Sequence, residues 1–252
     1  MGTYISHFRS TELLLKEIKG LDDESFLYGN LAPDSGIPNE DWTAYYPPRI
    51  VTHFLPSANS DETIQDMEFY KRYLKDLTIS NDKGRFSFLL GYFIHLICDN
   101  LWSLWIVVPT EKYYEALIRE RGAQAWEIIK QDWHDLDRKY FYEHPNLKIW
   151  RFIKLSKNKT KYLPFLPSGA TLQQLDYIEN VYLPLKESSD LERSYPYLNE
   201  TVMDRFIDES TQVVLEILAQ QDRLRQCDDH TALSLLDPEK LLPYEYPLGD
   251  VL

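Results

Sequence analysis

The chain has little cysteine and little positive charge, and it lacks strand-like alternation. Its two cysteines, Cys98 and Cys227, exclude a disulfide framework and a cysteine-based zinc site; a reducing compartment suits such a composition. Forty acidic residues against 27 basic ones leave a net charge of -13. No basic stripe is then available to neutralise phosphates, so a nucleic-acid duplex is not an expected partner. The same imbalance argues against tight adsorption to anionic lipid and is compatible with metal cations. No basic segment followed by an apolar run opens the chain, so no secretory signal is read and a cytoplasmic location is expected. Met1-Gly2 with Ser6 fits the bare N-myristoylation pattern, whose few fixed positions recur by chance. No fixed-period repeat is present. Without alternating runs of strand length, the expected fold is all-α: one multi-helix bundle over residues 1–252, with residues 1–105 and 106–252 as its two halves.

What the chain does have is one long apolar run, Phe86–Val108. Positions four apart share a helix face, and stepping by four through this run gives Ser87, Gly91, His95, Asp99 and Ser103. Every other face carries Phe, Leu, Tyr, Ile or Trp. A solvent-facing stripe would hold Lys and Glu. A stripe of small residues with an imidazole and a carboxylate instead suits a buried helix that turns a narrow polar row toward an internal site. Ser87 and Gly91 would leave room for something to approach the backbone. At about 1.5 Å per residue the run is also long enough to cross a bilayer. A mid-span His/Asp/Asn cluster is costly in lipid, however, and no second span follows, so no transmembrane segment is expected. His95 and Asp99, one turn apart, can bind one metal ion; equally, Asp99 can simply hydrogen-bond His95 in a core.

Along the chain, residues 8–19 and 24–31 read as short helices, and 35–59 as a proline-rich loop containing Tyr45-Tyr46-Pro47-Pro48. A helix is expected over Asp61–Leu77 with Ser60 as cap. The central helix is expected to start at Asp82 and to end at Pro109. Residues 110–144 read as helix interrupted at Gly122, 145–156 as a further short helix, and Lys154–Lys161 as a solvated basic loop. Thr171–Tyr182 and Asn199–Arg225 are also helical by periodicity. The tail after His230 is expected to lie along the surface.

His7, Asp34 and His53 join His95 and Asp99 as candidate ligands. Imidazoles and carboxylates are a donor set that Zn²⁺ takes. Five are too many for one closed tetrahedral site and suit two metals sharing a bridging carboxylate, for which Asp99 is the central choice. The order of pieces also carries a resemblance. His7 is followed by Phe26-Leu27-Tyr28-Gly29-Asn30-Leu31-Ala32-Pro33-Asp34, then Thr52-His53-Phe54, then Gly91-Tyr92-Phe93-Ile94-His95-Leu96-Ile97-Cys98-Asp99. Over roughly residues 1–105 this resembles the zinc-dependent phospholipase C family, related more distantly to the P1-type nucleases.

The resemblance implies one zinc held by Asp34, His53, His95 and Asp99, and a second held by His7 and Asp99. Secreted members of the family complete that second site with their mature N-terminal residue, whereas here Met1–Ser6 precede His7. A third family site uses a further His and then an H-x-x-x-E pair. Residues around Trp105 are aromatic or aliphatic and no H-x-x-x-E follows, so a third zinc is not expected; His134 and His144, with Asp137 or Glu143, are the stand-ins at hand. The implied chemistry is hydrolysis of a small phosphodiester or a phospholipid head group. Two zincs about 3.5–4 Å apart would clamp the phosphate, and Asp34 would position or deprotonate the water. Trp42, Tyr45 and Tyr46 would line the entrance. Two alternatives stand beside this. One is a non-catalytic, metal-stabilised helical scaffold. The other is an HD-type phosphohydrolase built on His134-Asp135. His144 and His230 otherwise read as surface residues.

Overall fold

The computed structural model describes residues 1–41, 43–57, 63–146, 148–155, 162–185 and 190–250. The fold is all-α. Among the described residues the strands are β1 (Ile37–Pro38) and β2 (Tyr45–Tyr46), a short antiparallel pair inside the expected loop. A one-turn helix, α3 (Arg49–Thr52), follows them.

Before that loop come α1 (Tyr4–Glu17) and α2 (Asp23–Leu31). Helix α1 begins earlier than residue 8 because Thr3 and Ser6 satisfy each other's backbone N–H groups in a capping box. His7 therefore lies inside the helix. Asp137 fixes this helix start from outside, accepting from the Thr3 hydroxyl at 2.6 Å and the Ile5 N–H at 3.2 Å.

The bundle is organised around α5 (Lys83–Trp102), which starts one residue after the expected Asp82, with Asp82 as its cap. Every residue from Ser87 to Trp102 is buried, as a helix apolar on all sides requires. Pro109 does not end this helix. A wide π turn, Ser103–Val107, leads straight into α6 (Val108–Tyr113). Proline lacks an N–H and crowds the carbonyl four residues back, and the wider turn just before it relieves both problems. The continuous Lys83–Tyr113 helix is apolar and long enough for a membrane, yet 78% of its most apolar window is buried inside the protein. Its neighbours are α2, α11 (Glu200–Ala219) and α4 (Asp66–Phe69).

The crossing of α2 and α5 is unusually close. A Cβ on Gly29 would lie 1.8 Å from the Phe88 carbonyl oxygen, and one on Gly91 would lie 2.2 Å from the Phe26 carbonyl oxygen. The two glycines let backbone meet backbone. At the same seam the Ser87 hydroxyl accepts the Asp22 N–H at 2.9 Å. What approaches the small-residue stripe is thus helix α2, and only its lower half, from His95 onward, faces the site.

Several boundaries differ from the sequence expectation. Helix α4 starts at Asp66, after Gln65. Ile64 is held in place by the Asn100 side chain, which accepts its N–H at 3.0 Å and donates to its carbonyl at 2.9 Å; those groups are then lost to a helix. The expected cap Ser60 and start Asp61 lie outside the described residues, as does most of the Lys154–Lys161 run. After α6 come α7 (Glu115–Arg121) and α8 (Ala123–Glu143), divided at Gly122 with φ 55°. They are followed by α9 (Lys148–Leu155) and by α10 (Ala170–Tyr177), which runs into a π turn, Ile178–Tyr182. The last helix is two, α11 and α12 (Gln221–Gln226), because Gln220 leaves helical geometry at ψ 44°.

The tail is not confined to the surface: Ala232, Leu233, Tyr244 and Leu248 are buried. Buried Asp66 ties it down, accepting from the Thr231 hydroxyl at 2.6 Å and the Ala232 N–H at 2.7 Å. Burial outweighs these donors and pushes the Asp66 carboxyl up to about 6. An acid whose folded pKa is raised favours the folded state most below its unfolded pKa of 3.8, and that advantage is lost as pH rises toward 6. The gap corresponds to about 3 kcal/mol. Asp66→Asn is expected to flatten the stability–pH curve between pH 4 and 6, as read by urea unfolding at each pH.

Candidate metal centre

Five side chains from four places converge. His7 comes from α1, Asp34 from the 3-10 turn Ala32–Asp34 after α2, His53 from the end of α3, and His95 and Asp99 from α5. Asp99 is the hub. Its Oδ1 lies 3.2 Å from His7 Nε2, and its Oδ2 lies 3.4 Å from His53 Nε2 and 3.5 Å from His95 Nε2. Asp34 Oδ1 is 3.3 Å from His53 Nε2. The His7 and His95 rings stack with centroids 3.9 Å apart. Donor atoms of His7, His95 and Asp99 lie within 4.8 Å of one another, and so do those of Asp34, His53 and His95. The Asp34 side chain is 10% exposed while Asp99 is sealed, so the cluster opens on the Asp34 side.

Groups behind the cluster orient it. His95 Nδ1 is 2.7 Å from the Asn30 carbonyl. A carbonyl only accepts, so Nδ1 carries the proton and the Nε2 lone pair points at Asp99. His53 Nδ1 pairs with the Thr52 hydroxyl at 2.9 Å, and the Tyr92 hydroxyl donates to the Thr52 carbonyl at 2.5 Å. The Gly2 N–H donates to Asp99 Oδ1 at 2.7 Å.

Oδ2 of Asp99 and the Nε2 atoms of His53 and His95 are all buried with no hydrogen-bond partner. Buried polar atoms are nearly always partnered. Three orphans facing one another, all of ligand chemistry, are what a divalent cation satisfies. The residues therefore fit a zinc-type ion.

The charges agree with this. Burial alone would raise Asp99, but the Met1 amino group, His95, His53 and His7 hold its carboxyl well below the usual range. Burial opposes ionisation of Asp34 too, and His95 and His53 outweigh it, so this carboxyl is also lowered. His53 is raised, its burial overcome by Asp34 and Asp99. His95 is lowered by burial and by neighbouring His7. Both carboxylates are thus anions at neutral pH, and His95 is a neutral donor.

Two cavities open beside Asp34. One, of about 810 Å³, reaches Asp99, Ser103, Lys130, His134 and Tyr182; the other, of about 420 Å³, reaches His53, Tyr45 and Tyr177. Ser103 and Tyr182 are set on π turns, which recur at functional sites. Of the expected entrance residues, Tyr45 lines the smaller cavity, Tyr46 is 69% exposed on the outside, and Trp42 lies outside the described residues.

The HD pair does not join the cluster. Asp135 is taken by Arg138 at 3.0 Å and Arg193 at 2.9 Å. His134 packs on Tyr182 and is driven down to about 4 by burial and nearby Arg138 and Lys130. Asp137 anchors α1, Glu143 sits 4.0 Å from Lys139, and His144 stacks on Tyr140. None of the stand-ins for a third site is among the described ligand groups.

A family model described as zinc dependent phospholipase C matches residues 6–102. The segment carrying the site is zinc-dependent phospholipase C-like. All five converging residues fall inside the match. No curated protein and no solved structure matches the chain. Sequence reasoning missed the supporting groups of this phospholipase C-like segment. Asn30 and Thr52 do stand inside the motif phrases, but only through a carbonyl and a hydroxyl whose directions depend on the fold.

Proposed function

We propose that the protein is a metal-dependent phosphodiester hydrolase with a two-zinc centre. The observation that carries this is the set of orphaned, buried donor atoms around Asp99. Asp34, His53, His95 and Asp99 would hold one zinc, and His7 with Asp99 the other. Bound zinc would supply positive charge to the phosphoryl oxygens and a nucleophilic water at neutral pH.

The chain's own residues do the rest. Asp34 is ionised, borders both cavities and is the least buried member of the cluster. It is the group able to accept a proton from a water beside the phosphorus. Asn30 and Thr52 keep His95 and His53 aimed, so the centre is organised before substrate arrives. The two cavities that share Asp34 offer room for the two arms of a diester, such as a small phosphodiester or a phospholipid head group.

Purified full-length protein should contain zinc by elemental analysis and hydrolyse bis-p-nitrophenyl phosphate. Dialysis against a chelator should abolish turnover, and added Zn²⁺ should restore it. Filled metal sites without hydrolysis would leave the scaffold reading in its place.

A further inference from the structure

The chain has 40 acidic residues, and its interior cations are well paired elsewhere. Arg193 spans Asp132 and Asp135, and Lys139 meets Glu143, Glu192 and Glu200. Two cations beside the metal centre break that habit. Arg49, half-buried at the start of α3, lines both cavities together with Asp34. The partner of its Nε is the Met1 sulfur at 3.1 Å, a weak acceptor. Lys130, on α8, lines the larger cavity with its ammonium 5.7 Å from the Trp126 ring centroid. No ion pair joins either to a carboxylate among the described residues, although Glu111 and Glu127 line the same cavity.

The two cations are also close enough to act on each other: burial and then Arg49 lower the Lys130 ammonium. Two like charges lining one cavity, with no ion pair to either among the described residues, lose Coulomb energy that an anion would recover. The anion that belongs at this spot is set by its surroundings, a cavity lining that holds both Asp34 and Asp99 of the carboxylate–imidazole centre and a guanidinium fork with no carboxylate on it among the described residues. The fork matches the paired oxygens of phosphate.

We propose that Arg49, assisted by Lys130, is the phosphate-binding edge of this site. It holds the oxyanion of the scissile phosphate beside Asp34, with one ester arm in each cavity. This rests on the phosphodiesterase reading of the cluster. Arg49 faces both cavities and so stands where the arms separate; Lys130 reaches the larger one only.

The test uses full-length, zinc-loaded protein and two readouts. Calorimetric titration with inorganic phosphate should show about tenfold weaker binding in Arg49→Gln and a smaller loss in Lys130→Gln, with partial recovery in Arg49→Lys. Hydrolysis of bis-p-nitrophenyl phosphate should fall roughly 100-fold in kcat/KM for Arg49→Gly and be partly restored by added guanidinium ion. Zinc content should stay at the wild-type level in all of them. Unchanged phosphate affinity in the double variant Arg49→Gln/Lys130→Gln would overturn the proposal. So would loss of zinc in Arg49→Lys, since that is the mark of a structural role. If wild-type protein binds phosphate through Arg49 but hydrolyses no diester, the hydrolase reading fails and the anion site stands. Turnover that ignores Arg49 does the reverse.

Discussion

Asp99→Asn is expected to strip the protein of metal and to abolish diester hydrolysis while leaving the helical fold in place. Asp99 is the one residue that reaches every histidine of the cluster, through both carboxylate oxygens. Asparagine keeps an oxygen that can accept the Gly2 N–H, so the local hydrogen bond to Oδ1 survives. What disappears is the negative charge between three buried imidazoles. Neutral amides are poor ligands for zinc-type ions beside imidazole and carboxylate. Losing an outer partner of a metal ligand lowers affinity or activity roughly 10–100-fold, and losing the hub itself should exceed that. Elemental analysis, circular dichroism and bis-p-nitrophenyl phosphate turnover on one preparation decide it. Full metal content in Asp99→Asn would mean that Asp99 is only a hydrogen-bond acceptor.

The second large effect is expected far from any ligand atom. Gly91→Ala should lower the melting temperature by roughly 6–12 °C, the shift of about 3 kcal/mol in a domain of this size. In an isolated helix the same change would stabilise, because alanine is the better helix former by about 1 kcal/mol. Here the added methyl would stand 2.2 Å from the Phe26 carbonyl oxygen and 2.9 Å from the Asn30 nitrogen. Those are backbone atoms of α2 and cannot swing aside like the end of a side chain. The helices must part, and Asn30 is the residue whose carbonyl aims His95. Weaker metal binding should therefore accompany the lower melting temperature, by roughly 10–100-fold. An unchanged melting curve in Gly91→Ala would show that α2 and α5 do not touch through their backbones.

Much of the site could be read before the fold was known. His95 and Asp99 stand out because an imidazole and a carboxylate are hard to place in so apolar a run, whereas His7, Asp34 and His53 joined them through the ordered motif phrases of the family resemblance. Their convergence follows once α1, α2 and α3 pack around one end of α5. Boundaries were less legible wherever a long-range contact decided them. Ile64 is kept out of α4 by Asn100, and Asp66 recruits the tail into the core. Pro109 is carried through by a π turn. The HD pair at residues 134–135 shows the opposite failure, in which a motif by itself says nothing about partners: Asp135 belongs to two arginines.

The amino-acid order alone determined the all-α class, the buried central helix and the identity of the ligand-type residues. Periodicity, polarity and donor chemistry are local properties, carried by each segment whatever it packs against. Only the tertiary structure decided which oxygen of Asp99 meets which ring, that Gly91 faces a backbone, and that Arg49 and Lys130 line one cavity with no carboxylate paired to them among the described residues. Those facts depend on distances between segments many residues apart, and such distances are set by packing rather than by any one segment.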